Sequence, residues 1–128
     1  MLLDTCFLID LQKELRRNKP GKAHDFLRNW RGDFLAYSLV TRMEFLEGYP
    51  DSGQESADRF LRPYKCLFPD LETAWRTSRI ERTLRGRGTP IGDHDAWIAA
   101  TALQHSLTLL SRNREHFQRI SGLAVAGY

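Results

Sequence analysis

Short apolar runs alternate with longer stretches of helical periodicity along the whole chain. Apolar runs of three to five residues predict buried strands, whereas apolar residues spaced three and four apart predict amphipathic helices. The strands predicted in this way are 1–4, 34–38, 65–68, 107–110 and 123–125. The predicted helices fall around 7–15, 23–30, 39–46, 51–62, 71–84, 96–103 and 114–117. This alternation predicts an α/β fold of three layers, α/β/α, with a central, mainly parallel sheet of four to five strands.

Two of the predicted helices have unusual apolar patterns. The helix at 96–103 is apolar nearly all round, which predicts a central and buried position. The helix at 71–84 changes its apolar face, which predicts two packing surfaces or a bend near Ser78. Its apolar residues are Leu71, Ala74 and Trp75 on one side and Ile80 and Leu84 on the other. All three tryptophans, Trp30, Trp75 and Trp97, lie in apolar stripes, so we expect each to belong to the core.

Length and composition limit the class of protein. A chain of 128 residues, 41% hydrophobic and 27% charged, predicts a single globular domain over 1–128. No apolar run approaches the roughly 20 residues of a membrane helix, and the first residues lack a basic signal-peptide segment. Cys6 and Cys66 form no metal-binding pair, so we expect a reduced, cytoplasmic chain without structural zinc. The net charge of +3 permits a nucleic-acid partner without demonstrating one.

Acidic side chains follow three of the predicted strands. In parallel sheets ligands bind beyond the carboxyl ends of the strands. Asp4 ends the first strand, Glu44 and Glu47 lie on the helix after the second, and Asp93 and Asp95 open the central helix. Each also has an ordinary structural explanation, because Asp caps helices, carboxylates favour helix N-termini, and a helix carboxylate is often simply solvated.

Taken together, these side chains favour a metal site. Ser111 and Asn113 follow the fourth strand and add neutral oxygen atoms at the same edge. Carboxylates packed together repel unless they are protonated or neutralised by a cation. Mg²⁺ and Mn²⁺ prefer such oxygen ligands and support phosphodiester displacement. The four histidines, His24, His94, His105 and His116, show no metal-binding spacing. His94 and His116 lie near the proposed site, and we expect both to be polar surface residues or residues that support the ligands. No glycine-rich phosphate loop with a lysine is present.

Four blocks of sequence occur in an order and spacing typical of one protein family. They are Leu2-Leu3-Asp4-Thr5, VTRMEFLEG at 40–48, GTPIGDHDAWIAA at 88–100, and LSRNREHF at 110–117 with ISGL at 120–123. With these blocks the chain resembles, over nearly its whole length, PIN domains and specifically the VapC-like toxins of type II toxin–antitoxin systems. The resemblance selects Glu44 over Glu47 and Asp95 over Asp93. It implies a PIN-like fold for the single domain.

The resemblance also implies an activity, a cofactor and partners. It implies an endoribonuclease that depends on Mg²⁺ or Mn²⁺, with Asp4 and Asp95 as principal metal ligands. Glu44 would complete the acidic pocket, directly or through water. Asn113 stands where many members have Asp and would contribute a weaker contact. The implied partners are an RNA substrate, a second copy in a homodimer, and a VapB-like antitoxin that places a basic side chain among the carboxylates.

Some neighbouring residues and rival functions stay open at this point. Cys6 departs from the Asn or Ser often found there, so we interpret it as a packing residue. Arg85, Arg87, Arg112 and Arg114 are candidates for RNA phosphate contacts and equally for solvated loop residues. The rival functions are a PIN-like module that binds RNA or protein without turnover, and a phosphohydrolase of small phosphate esters. The second lacks support, because no further aspartate lies two residues after Asp4.

Overall fold

The computed structural model describes residues 1–128 and contains one five-stranded sheet. The strands are β1 (Leu2–Leu3), β2 (Ala36–Ser38), β3 (Lys65–Leu67), β4 (Leu109–Leu110) and β5 (Val125–Ala126). The helices are α1 (Thr5–Arg16), α2 (Lys22–Asn29), α3 (Leu39–Glu47), α4 (Gln54–Leu61), α5 (Leu71–Gly86), α6 (Asp93–Gln104) and α7 (Arg114–Phe117), with a 3₁₀ turn at Asp51–Gly53. Every predicted strand and helix is therefore present, with ends shifted by a few residues.

The sheet has the order β3-β2-β1-β4-β5, and all four strand pairs are parallel. The three-layer α/β/α prediction is confirmed, and the sheet is entirely rather than mainly parallel. The chain adds β2 and β3 on one side of β1, and β4 and β5 on the other. The direction of strand addition thus reverses between β1 and β4, and parallel sheets open a ligand-binding crevice at such a switch point.

Alternation along β1 and β4 divides the core into two layers. Leu2 and Leu109 belong to a cluster with α5 and α6 on one face of the sheet. Leu3 and Leu110 belong to a second cluster with α1, α2 and α4 on the other face. All four leucines are fully buried, because successive side chains of a strand point to opposite faces and both faces are covered by helices. The centre of the sheet therefore forms a rigid base for the residues that follow β1 and β4.

Helix α6 matches its prediction, whereas α5 does not. Most residues of α6 between Ala96 and Ala102 are buried, as expected for a central helix. Helix α5 is one continuous helix whose buried side carries Thr73, Thr77, Ile80 and Leu84. No break interrupts the helix near Ser78. The predicted second packing surface is wrong, and so is the assignment of Trp75 to the core, because Leu71 is 91% and Trp75 60% exposed.

The reason for the error in α5 is that threonines occupy its buried positions. Thr77 donates its hydroxyl to the Thr73 carbonyl at 2.8 Å, and Thr73 takes part in the N-terminal capping box with Asp70. Satisfied hydroxyl groups can be buried at little cost. The apolar residues of the first turns therefore face solvent, where Arg79 lies 4.4 Å over the Trp75 ring. Trp30 and Trp97 are partly buried.

None of the helices combines the length and the hydropathy that a membrane span requires.

Candidate active site

Asp4 lies at the switch point, directly after β1. Its backbone N–H donates to the Leu110 carbonyl at 3.1 Å, which joins it to β4, and its side chain is 4% exposed. The Oδ1 atom accepts the Thr5 N–H at 2.7 Å, so Asp4 is indeed the N-cap of α1. The Oδ2 atom accepts the Ser111 hydroxyl at 2.6 Å and the Cys6 thiol at 3.0 Å. The carboxylate is thus a helix cap and a member of a polar cluster at once.

Ser111 and Cys6 hold the second oxygen of Asp4 in place. Ser111 is fully buried and accepts the Asn113 N–H at 3.0 Å, while Cys6 accepts the Arg112 N–H at 3.4 Å. Burial, and next the Asp4 charge, raise the pKa of the Cys6 thiol, so it stays a protonated donor. Cys6 is therefore more than the packing residue that we expected, because it supports the Asp4 carboxylate directly.

A second layer of polar contacts lies beyond Cys6. Asp10, on α1, accepts the Arg112 guanidinium at 2.7 Å and the Tyr128 hydroxyl at 2.9 Å. The Tyr128 ring meets Phe7 edge to face, with centroids 4.9 Å apart. These contacts tie the segments that follow β4 and β5 to α1.

Glu44 comes from α3, which begins immediately after β2. Ser38 ends that strand and caps α3 by accepting the Thr41 N–H at 2.9 Å, so the helix begins at once and turns Glu44 towards α1. The Glu44 carboxylate accepts a hydrogen bond from the Thr5 hydroxyl and contacts His94 Nδ1 at 2.9 Å. Glu47 is exposed and has no such contact.

Asp95 lies in the first turn of α6 and is the third carboxylate of the cluster. Burial raises its pKa, and the charges of Asp4 and then Glu44 raise it further, whereas His116 opposes the shift. His116 Nδ1 lies 3.0 Å from Asp95 Oδ2. Asp93, two residues earlier, is exposed and unpaired. The structure thus brings Asp4 and Glu44 each within electrostatic reach of Asp95.

The remaining predicted residues are placed differently. Asn113 is exposed; its backbone supports Ser111, but its side chain makes no hydrogen bond to the carboxylates. Arg85 lines a separate shallow groove with Ser78, Glu81, Arg82 and Gly86. Thr5 was not predicted as a contact of the site. His94 and His116, which were expected near the site as surface or supporting residues, each pair with one carboxylate. No local spacing indicates which carboxylate each histidine contacts, since His94 lies 50 positions from Glu44.

The donor set suits a hard divalent cation in chemistry and in charge. Its three carboxylates offer only oxygen. The pKa of Asp95 is raised first by burial and then by the charges of Asp4 and Glu44, and a cation would offset those charges. As the side chains stand, no three acidic, histidine or cysteine groups are close enough to hold a metal ion together. His94 and His116 instead each hold one carboxylate oxygen at the edge of the cluster.

Comparison with known proteins identifies the family of the chain. A family model described as PIN domain matches residues 1–123. The chain belongs to the PIN domain family. Within that family it is 31% identical to Ribonuclease VapC1 of Methanocaldococcus jannaschii, an alignment that covers 100% of this chain and 86% of that protein. The carboxylate cluster at the switch point therefore lies in a VapC-like PIN domain.

Two further relatives add detail. This PIN domain is 27% identical to the tRNA(fMet)-specific endonuclease VapC of Salmonella typhimurium, over 85% of this chain and 86% of that one. It superposes on a chain of a toxin-antitoxin complex from Klebsiella pneumoniae with a TM-score of 0.74 and 30% identity, covering 98% of this chain and 94% of the other. Its relatives thus include RNA-cleaving enzymes and a member of a two-protein complex.

Proposed function

We propose that this PIN domain is the toxin of a type II toxin–antitoxin system, a cytoplasmic endoribonuclease that depends on Mg²⁺ or Mn²⁺ and hydrolyses RNA phosphodiester bonds. The observation that carries the proposal is the convergence of Asp4, Glu44 and Asp95 at the switch point of the sheet, where the charges of Asp4 and Glu44 act on Asp95. The names of the relatives, a ribonuclease and a tRNA endonuclease, support RNA as the substrate class.

In this proposal Asp4 and Asp95 are the principal metal ligands, and Glu44 completes the pocket directly or through water. The bound cation would supply Lewis acidity to the scissile phosphate and an acidified water as nucleophile. Neighbouring residues of the protein hold the carboxylates in position for the cation. Ser111 and Cys6 fix Asp4, Thr5 fixes Glu44, and His116 fixes Asp95. Asn113, exposed beside Ser111, would add a weaker contact.

The proposed protein partners are a VapB-like antitoxin and a second copy of this chain in a homodimer. The complex from Klebsiella pneumoniae supports the first. A pocket of three mutually repelling carboxylates would favour an antitoxin whose arginine enters it, since a guanidinium replaces the charge of the cation and pairs with carboxylates through two parallel hydrogen bonds.

The test is RNA cleavage by the purified protein. We expect cleavage of end-labelled tRNA and mRNA with Mg²⁺ or Mn²⁺, its loss in EDTA, and a loss of at least about 100-fold in Asp95→Asn, because metal ligands stabilise charge that develops in the transition state. Asp93→Asn is the matched control, since it removes the same charge two residues away from an exposed position. It should cleave as wild type does.

Two results would count against the proposal. Full activity in Asp95→Asn or in EDTA would exclude the acidic site as the metal-dependent centre. RNA binding by the wild-type protein with no cleavage under any metal would instead support the rival function, a module that binds without turnover.

A further inference from the structure

A wide polar groove opens beside the acidic site, along the segment that follows β4. It encloses about 760 Å³ and no hydrophobic side chain lines it. We call it the 112–119 groove; its lining residues are Arg112, Asn113, Arg114, Glu115, His116, Gln118 and Arg119. A surface hollow of this size without apolar residues is unsuited to a hydrophobic ligand or helix face, whose binding needs apolar area to bury.

The charge of the groove is positive and partly uncompensated. It contains three arginines and one acid, Glu115. Arg112 is paired with Asp10, whereas Arg114 and Arg119 form no salt bridge. The stem of Arg114 lies against Gly127, where a Cβ would approach its Cδ to 3.1 Å. Arg114 is thus held along the groove by the backbone after β5, with its guanidinium free for an external anion.

The groove and the carboxylate cluster share a wall. His116 lines the groove, and its Nδ1 atom is 3.0 Å from Asp95 Oδ2. The negatively charged site proposed for cleavage therefore lies directly beside the positively charged 112–119 groove. A polyanionic strand needs such a positive surface beside the site, because the carboxylates by themselves repel its phosphates whereas the adjacent arginines attract them.

We propose that the 112–119 groove binds the RNA backbone next to the scissile bond, with Arg114 and Arg119 each contacting a phosphate. This inference rests on the proposed ribonuclease function and adds the path of the strand to it. Arginine pairs readily with phosphate, and the amides of Asn113 and Gln118 suit phosphate and sugar oxygens. These contacts position the strand without reading its bases.

The first test measures binding of a short fluorescent oligouridylate to Asp95→Asn protein, in which cleavage is blocked. Arg114→Gln and Arg119→Gln should each weaken binding about two- to fivefold at low salt, the range of exposed charge pairs. The plot of log affinity against log salt concentration has a negative slope, and the magnitude of this slope should decrease by about 0.7 for each phosphate that is no longer neutralised. Glu115→Gln should change affinity in the opposite direction, because it removes the one acid of the groove.

The matched control is Arg82→Gln. Arg82 is an exposed, unpaired arginine of α5 that lines a different surface groove, so its substitution removes the same formal charge outside the 112–119 groove. Its affinity and salt slope should stay close to those of the parent protein. Equal losses in Arg82→Gln and Arg114→Gln would mean that only net charge matters, which would overturn the inference.

A second test identifies the contacted phosphates. A neutral methylphosphonate linkage is moved along the oligonucleotide one position at a time. At one position it should weaken binding to the parent protein and leave binding to Arg114→Gln unchanged, because the two changes remove the same contact. If the losses from the methylphosphonate and from Arg114→Gln add at every position, the inference is overturned. Arginine variants that bind RNA normally but no longer bind a partner protein would also overturn it.

Failure here is distinguishable from failure of the proposed function. If the wild-type protein cleaves RNA and the double variant Arg114→Gln/Arg119→Gln binds and cleaves RNA equally well, the groove assignment is wrong and the nuclease assignment stands. If the wild-type protein cleaves nothing while these variants lose RNA affinity, the groove assignment stands and the nuclease assignment is wrong.

Discussion

Both oxygens of the Asp4 carboxylate accept hydrogen bonds from the protein itself. One receives the Thr5 N–H and the other receives Ser111 and Cys6. A side chain held in this way has little freedom left to lose when a ligand binds, which is how preorganised sites reduce the cost of binding. The same contacts mean that substitution of Asp4 removes a helix cap as well as a candidate ligand, so its effects on stability and activity are mixed.

Ser111→Ala separates positioning from ligation. The variant leaves all three carboxylates in place but removes the buried donor to Asp4 and the acceptor of the Asn113 N–H. We expect a loss of about 1–3 kcal/mol in the free energy of unfolding by urea, because a buried hydrogen bond to a charged group is removed. Cleavage should fall with it. Ser111→Thr, which retains the hydroxyl, should recover most of both, and an Ala variant as stable as wild type would contradict this role.

At the scale of elements, α5 and α6 are joined through Asp70. Its carboxylate accepts the Thr73 N–H at 2.9 Å and the Gln104 amide at 2.8 Å, linking the start of α5 to the end of α6. The Thr73 N–H and then the Gln104 amide lower the pKa of Asp70. The ionised form is therefore the one that the folded protein favours.

This link predicts a pH dependence of stability. Because the folded-state pKa of Asp70 is lowered, its contribution is present above the ordinary aspartate range and is lost as pH falls through the lowered pKa. Asp70→Ala should lower Tm at neutral pH, and the difference from wild type should shrink in acid. Asp51→Ala, an exposed control, should show no such trend. Thermal melts across the acid range measure both, and a constant difference would contradict the prediction.

The element scale also shows what the sequence could predict. Helices and strands followed from periodicity because both faces of the sheet are covered, so burial leaves a regular apolar pattern. In α5 that pattern predicted the wrong buried residues, since Thr73 and Thr77 fill buried positions while Trp75 faces solvent. His94 and His116 were expected near the site, but the carboxylate that each one contacts could not be predicted, because those contacts depend on how α3, α6 and α7 meet in space. Family motifs selected Glu44 and Asp95 where spacing alone left two choices each.

For the whole molecule, the carboxylate cluster would set a balance between stability and the proposed metal binding. Without metal, the charges of Asp4 and Glu44 act against ionised Asp95. A cation that binds only the folded protein stabilises it by mass action, about 2.7 kcal/mol at 100 times the dissociation constant. The metal-free protein is therefore expected to be less stable than a neutralised variant, and the loaded protein more stable.

The prediction is a reversal of Tm order on adding Mn²⁺ to metal-free protein. Without metal, Asp95→Asn should melt above wild type, because the substitution removes the repulsion. With saturating Mn²⁺, wild type should gain stability and Asp95→Asn should not. Asp93→Asn should respond to Mn²⁺ as wild type does. The readout is a thermal shift and needs no RNA, and an equal Mn²⁺ response in Asp95→Asn would contradict the assignment of Asp95 as a ligand.

The hydrogen bond between Asp4 and Ser111 spans 107 positions of the chain. During synthesis β1 leaves the ribosome early, but its neighbour β4 and the Ser111 hydroxyl emerge only after nearly all of the domain has been made. An unfinished chain therefore carries its carboxylates without the arrangement that aligns them. If the protein is the proposed ribonuclease, the message and the tRNAs that are producing it would therefore stay intact until the last strands are in place.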